Sequence, residues 1–209
     1  MENDLAAEHL QTIRTLMERS AVYRRALAPI MVWNGIVGLA GGVTGWKLNF
    51  TSGRAFIEFW SGVALLAIIG SFLLVRRQAL KDSEPFWSPP TRRVAQALLP
   101  PLFIGGFLNV VLACAVSGIE PELGLYLIIF WLWFYGCAAH AAGFFMTRGM
   151  KLFGWGFIAV GCALFAESMN TGSRLDSISP YLLMGFIFGG LHLAYGIYLY
   201  LTEKGKNAT

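Results

Sequence analysis

LGLYLIIFWLWFYGCAAHAAGFFM, residues 123–146, runs for 24 positions without a Lys, Arg, Asp or Glu. A helix of that length spans about 36 Å at 1.5 Å per residue, and the hydrocarbon core of a bilayer is about 30 Å thick. A soluble domain has no need of so long a helix that is apolar on every side, so the stretch predicts a transmembrane span. One residue in it is costly at membrane depth: His140, with Gly136 four positions before it and Gly143 three after. Those spacings put the three on one helix face.

The rest of the chain agrees. Of 209 residues, 56% are hydrophobic and 13% charged, about half the charged share of a soluble domain. Further apolar stretches lie at roughly 26–46, 57–75, 95–117, 152–168 and 180–201. The sequence therefore predicts an all-α fold: a polytopic integral membrane protein of six transmembrane helices preceded by an amphipathic interfacial helix. Residues 1–25 form that cytoplasmic helix, 26–201 the transmembrane domain and 202–209 a cytoplasmic tail.

Lys and Arg orient the spans. Of the 16 basic side chains, 13 fall on alternate connections: Arg14, Arg19, Arg24 and Arg25; Arg76, Arg77, Lys81, Arg92 and Arg93; Arg148 and Lys151; Lys204 and Lys206. The opposite side holds Lys47, Arg54 and Arg174. This bias predicts both termini in the cytoplasm. The net charge of +4 is spread over short loops, without the clustered basic patch of a nucleic-acid binder. The acidic, amphipathic N-terminus lacks the basic start of a signal peptide. Cys114, Cys137 and Cys162 all fall in apolar spans, which argues against a disulfide framework and against metal chemistry.

Within the N-terminal segment, Leu10, Ile13 and Met17 recur at helical spacing, and Arg14 and Glu18 stand i,i+4 beside them. Such a helix lies in the interface or docks a protein partner on the cytoplasmic face. The connection KDSEPFWSPPTRR, residues 81–93, offers Phe86 and Trp87 as interfacial anchors. Pro100 and Pro101 predict a short surface helix from about Thr91, a kink, and the true span beyond.

Polar residues at depth are functional candidates by default. Asn34, Asn109, His140 and His192 form the predicted buried polar layer. Asn34 is followed by Gly38, Gly42 and Gly45, and His192 is flanked by Gly185, Gly189 and Gly196. With Gly136 and Gly143 these are the predicted helix-packing glycines, since small residues line interfaces between membrane helices. Counted from the span ends, Asn34, His140 and His192 lie about 10–14 Å in from the cytoplasmic side. Three roles fit: polar pins of helix packing, a small polar pathway or pocket, or a b-type haem ligated by His140 and His192.

No soluble catalytic motif is present: no phosphate-cradling loop with Lys, no HExxH, no CxxC, no GxSxG. Glu58, Glu167, Glu120, Glu122 and Asp176 stand at outer ends or connections, so no carboxylate serves coupled transport mid-span. The expectation is no catalytic residue and no resident metal or cofactor, with haem as the alternative.

Three motifs, IRTLMERS at 13–20, WLWFYG at 131–136 and GLHLAYG at 190–196, resemble a family of uncharacterised six-helix bacterial membrane proteins. That family has an "IRxxMERS" amphipathic helix and a Gly-Leu-His motif in the last span. The resemblance implies a multi-pass protein of the bacterial inner (plasma) membrane. Members look to be encoded near small winged-helix regulators, which implies a regulatory setting. His192 matches the motif and His140 does not. Together these readings predict a non-enzymatic protein with a regulatory, sensory or accessory-subunit role, in a homo-oligomer or a larger membrane complex. A haem-binding redox protein and a small-solute channel or carrier are the alternatives.

Overall fold

The computed structural model describes residues 26–49, 51–81, 83, 85–115, 123–146, 148–170 and 174–206. The predicted interfacial helix, with Leu10, Ile13, Arg14, Met17 and Glu18, lies outside the described residues, as does the end of the tail.

Among the described residues six helices are long and apolar enough to cross a membrane, and there is no strand. They are α1 (Ala26–Leu48), α2 (Gly53–Lys81), α3 (Pro89–Ala115), α4 (Leu123–Ala142), α5 (Arg148–Ser168) and α6, residues 180–206. The last is built of Pro180–Met184, a π turn at Gly185–Gly189, and Gly190–Lys206. A short 3-10 turn, Arg174–Ser177, precedes it.

The helices outrun the apolar stretches because a helix continues through charged ends whose long side chains reach away from the apolar body. Thus α2 runs on through Arg76 and Arg77 to Lys81. At α4 the reverse holds. The apolar sequence continues to Met146, but the helix stops at Ala142. Phe144 N–H donates to Ala141 O (3.2 Å) and Phe145 N–H to Ala142 O (2.9 Å), tightening the last turn and satisfying its carbonyls.

The entry to α3 also differs from expectation. α3 starts at Pro89 and runs unbroken through Pro100 and Pro101, so no separate surface helix precedes the span. Pro89 suits the first helical position, where its missing N–H costs nothing. Thr91 Oγ1 donates to Phe86 O (3.0 Å). That leaves Ser88 as donor in the 2.9 Å hydroxyl pair with Thr91, fixing the entry to α3.

The pairs α1–α6, α4–α5 and α1–α2 run antiparallel, which follows from their contacts. Along α1 and α6, Gly35 meets Leu193, Gly38 meets Gly189, Gly42 meets Gly185 and Gly45 meets the Tyr181 ring. A Cβ on Gly38 would stand 2.9 Å from the Gly189 Cα, and one on Gly42 2.8 Å from the Gly185 Cα. The two backbones touch, and no side chain fits between them. In the same way Gly136, Gly143, Gly154 and Gly161 join α4 to α5. α1 lies on α2 through Gly41 against Val63 and the Trp33 ring against Gly70. Gly105 of α3 meets Trp131 and Phe134 of α4. One end of the bundle carries Ala26, Lys81, Pro89, Ala142 and Arg148; it is called the near end below.

The core gathers Leu27, Met31, Phe56, Trp60, Ile128, Leu132, Phe157 and Tyr181. α2 enters it only at its start, through Phe56, Ile57 and Trp60, and none of its buried members comes from α3. Leu65, Leu66, Ile68, Phe103, Phe107 and Val110 are all more than half exposed.

Candidate functional site

His192 sits near the middle of α6, 4% exposed. Its Nδ1 is 2.7 Å from Phe188 O, and its Nε2 is 2.6 Å from the Tyr135 hydroxyl. A carbonyl only accepts, so Nδ1 carries the proton and donates to it. Nε2 is then the bare nitrogen, and Tyr135 O–H donates to it. These two bonds fix a neutral imidazole in one tautomer, with both ring nitrogens engaged.

Rings from three helices enclose this pair. His192 faces Phe153 at 5.1 Å and Phe157 at 5.5 Å from α5, Tyr135 at 5.2 Å from α4, and Phe188 at 6.4 Å from its own helix. Phe157 is wholly buried. Tyr195 stacks on Phe153 at 4.8 Å. The local sequence dictates the arrangement: Phe188, His192 and Tyr195 recur at four and three along α6, Phe153 and Phe157 at four along α5. Phe188 lies inside the π turn, where i→i+5 bonding replaces the regular ladder.

The other predicted polar residues find separate partners. Ser71 Oγ of α2 donates to Asn34 Oδ1 at 3.1 Å. Trp131 Nε1 of α4 donates to Asn109 Oδ1 of α3 at 3.1 Å. His140 Nδ1 stands 3.4 Å from the Lys151 carbonyl of α5, a long contact that only the ring can donate. Each polar group thus ties its helix to a neighbour. Among the described residues no hydrogen bond joins these four to one another.

The register corrects the shared layer. Asn34 is level with His192, because adjacent Gly35 meets Leu193. Its side chain nevertheless turns to α2 while Gly35, Gly38, Gly42 and Gly45 face α6. His140 occupies the last turn of α4 and is five residues beyond Tyr135, about 7.5 Å nearer the near end. The matched depth expected for the two histidines fails because the helix ends before the apolar sequence does. As a haem pair they fit poorly: the two rings pack against different residues, and both nitrogens of His192 are engaged. Among the described residues no group of three or more His, Cys, Asp or Glu side chains converges as a metal site. The three cysteines are free and exposed.

Sequence reasoning missed the partners Tyr135, Ser71 and Trp131. A signal for Tyr135 existed: tyrosines of membrane helices gather at the interfaces, and this one is mid-helix. The buried indole N–H groups of Trp33, Trp60 and Trp133, which have no acceptor, left no such signal.

No protein-family model, curated protein or solved structure matches the chain.

Proposed function

We propose that the protein inserts in a bacterial inner membrane with six spans and both termini in the cytoplasm. There it serves as a non-enzymatic regulatory, sensory or accessory subunit. The carrying observation is the use made of its interior polar groups. Asn34, Asn109, His140 and His192 are each committed to a bond between helices, and the most buried, His192, has both nitrogens satisfied inside a shell of aromatic rings. A solute path wants a chain of polar groups open to solvent, and haem ligation wants a free imidazole nitrogen. A rigid bundle whose function lies at its cytoplasmic ends accords better with what is present. The N-terminal segment 1–25, with its Leu10, Ile13 and Met17 stripe, is the proposed contact for a protein partner.

Reporter fusions at Thr209 and near Gly172 test the topology: opposite sides are expected, and the same side would overturn six spans. Deleting residues 1–22 tests the contact. We expect insertion to persist while the complex on a native gel falls to the size of the lone chain. An insertion failure would make the segment structural. A Soret band in the purified protein would replace this reading with the haem one.

A further inference from the structure

We infer that the α4–α5 corner at the near end holds an anionic phospholipid, its headgroup against Lys151 and its chains along the outer face of α5. This goes beyond the regulatory reading and rests only on membrane insertion. The corner is a constructed shelf. The Lys151 ammonium lies 3.6 Å above the Phe144 ring centroid. The His140 ring stands edge-on to Phe144 at 5.5 Å and to Trp155 at 5.7 Å. Its Nδ1–H points back to the Lys151 carbonyl, which ties the imidazole to the backbone beneath the cation. Gly143 packs on the stem of Lys151, so the ammonium is held rather than free to wander.

The shelf is open on its flank. Phe144 is 64% exposed, Trp155 56% and Leu152 73%. One cation therefore sits at the top of an exposed apolar strip, at the level where α4 ends and α5 begins. An amphiphile matches that order of groups: negative headgroup outward, acyl chains below. A free phosphate would use the cation and leave Leu152 and Trp155 bare. Exposed aromatics and basic residues at helix ends mark the membrane interface, and a lysine there attracts anionic lipid.

The test uses the full chain in phosphatidylcholine nanodiscs, with phosphatidylglycerol titrated in. Lipid retention is read by native mass spectrometry and the unfolding midpoint by intrinsic fluorescence. We expect phosphatidylglycerol to be retained over phosphatidylcholine, with a preference that weakens as salt is raised. Lys151→Gln should cut the preference about fivefold, Lys151→Arg should keep it, and Lys81→Gln on the neighbouring connection should leave it within about twofold. Equal retention of the two lipids, or an undiminished preference in Lys151→Gln, overturns the proposal. So does competition by millimolar inorganic phosphate, which would make the corner an anion site alone. If Lys151→Gln fails to insert, the wild-type preference and its salt dependence decide, since neither needs a variant.

Discussion

α1 and α4 are half-swallowed by the bundle, whereas α2 and α3 lie on its outside. Within their most apolar stretches, 50% of α1 and 44% of α4 is buried, against 11% of α2 and 6% of α3. Yet α2 and α3 are the more apolar pair by mean hydropathy, 2.0 each against 1.6 and 1.5. In a soluble protein the ranking would run the other way, because water drives the most apolar surface inward. Here small residues select the inside. Gly35, Gly38, Gly42 and Gly45 let α1 lie against α6, and Gly136 and Gly143 bring α4 onto α5. Close backbone packing and hydrogen bonds, not apolarity, hold helices together once lipid surrounds them.

Substitutions in matched pairs can break that contrast. The largest effect is expected at Phe157, which touches Tyr135, Phe153, Phe188 and His192. Phe157→Ala should lower stability by about 3–5 kcal/mol through the cavity it opens, and Phe107→Ala, 62% exposed on α3, should change it by less than about 1 kcal/mol. Unfolding midpoints in detergent or bicelles measure both, and equal losses would dissolve the distinction.

Overpacking comes next. Gly42→Leu or Gly185→Leu forces a side chain into backbone and should cost about 1–3 kcal/mol. A Cβ at Gly62 on α2 or Gly106 on α3 meets nothing within 4 Å, so Gly62→Leu and Gly106→Leu should be neutral or gain up to about 1 kcal/mol from helix propensity. Destabilisation by Gly62→Leu or Gly106→Leu, read in the same assay, would show that another surface covers α2 or α3.

The smallest effect sharpens the role of the polar pins. Tyr135→Phe leaves His192 Nε2 buried without a donor and should cost about 1–3 kcal/mol. Asn109→Leu breaks a half-buried bond and should cost about 0.6 kcal/mol, the usual value between membrane helices. Reversed magnitudes would move the main polar pin from α4–α6 to α3–α4.

How much of this could be read from the residues depends on what each signal reports. Span number followed from apolar length, and it agrees with the six long apolar helices. The glycine faces were legible too, since Gly38, Gly42, Gly185 and Gly189 carry their spacing on the surface of the chain. Which face meets which was not, because small residues say that a helix comes close without saying which one. Hydropathy marks apolar residues rather than helical ones, so Phe144 and Phe145 hid the end of α4 and put His140 too deep. Periodicity puts Asn34, four residues before Gly38, on the glycine face, but its hydroxyl partner Ser71 is on α2 and turns it aside. The proton on Nδ1 of His192 depends on a carbonyl and a phenol brought together only by the fold.

The π turn at Gly185–Gly189 resolves a mismatch of lengths. From Gly185 to Leu193 is eight residues, and at 3.6 per turn that overshoots two turns by about 80°. A regular helix would carry Leu193 round the side of α6, away from Gly35. One widened turn absorbs the excess, so Gly185, Gly189 and Leu193 keep a single straight seam against α1. The same widening sets the azimuth of everything after it, His192 included. Removing one residue from the turn, Ile187 for instance, would change the mean hydropathy of the span only slightly. Seven residues would then separate Gly185 from the present Leu193, and a regular helix carries them through about 700°, within about 20° of two turns: the histidine would keep its azimuth once the widened turn closed, a change invisible to any scale that counts apolar residues.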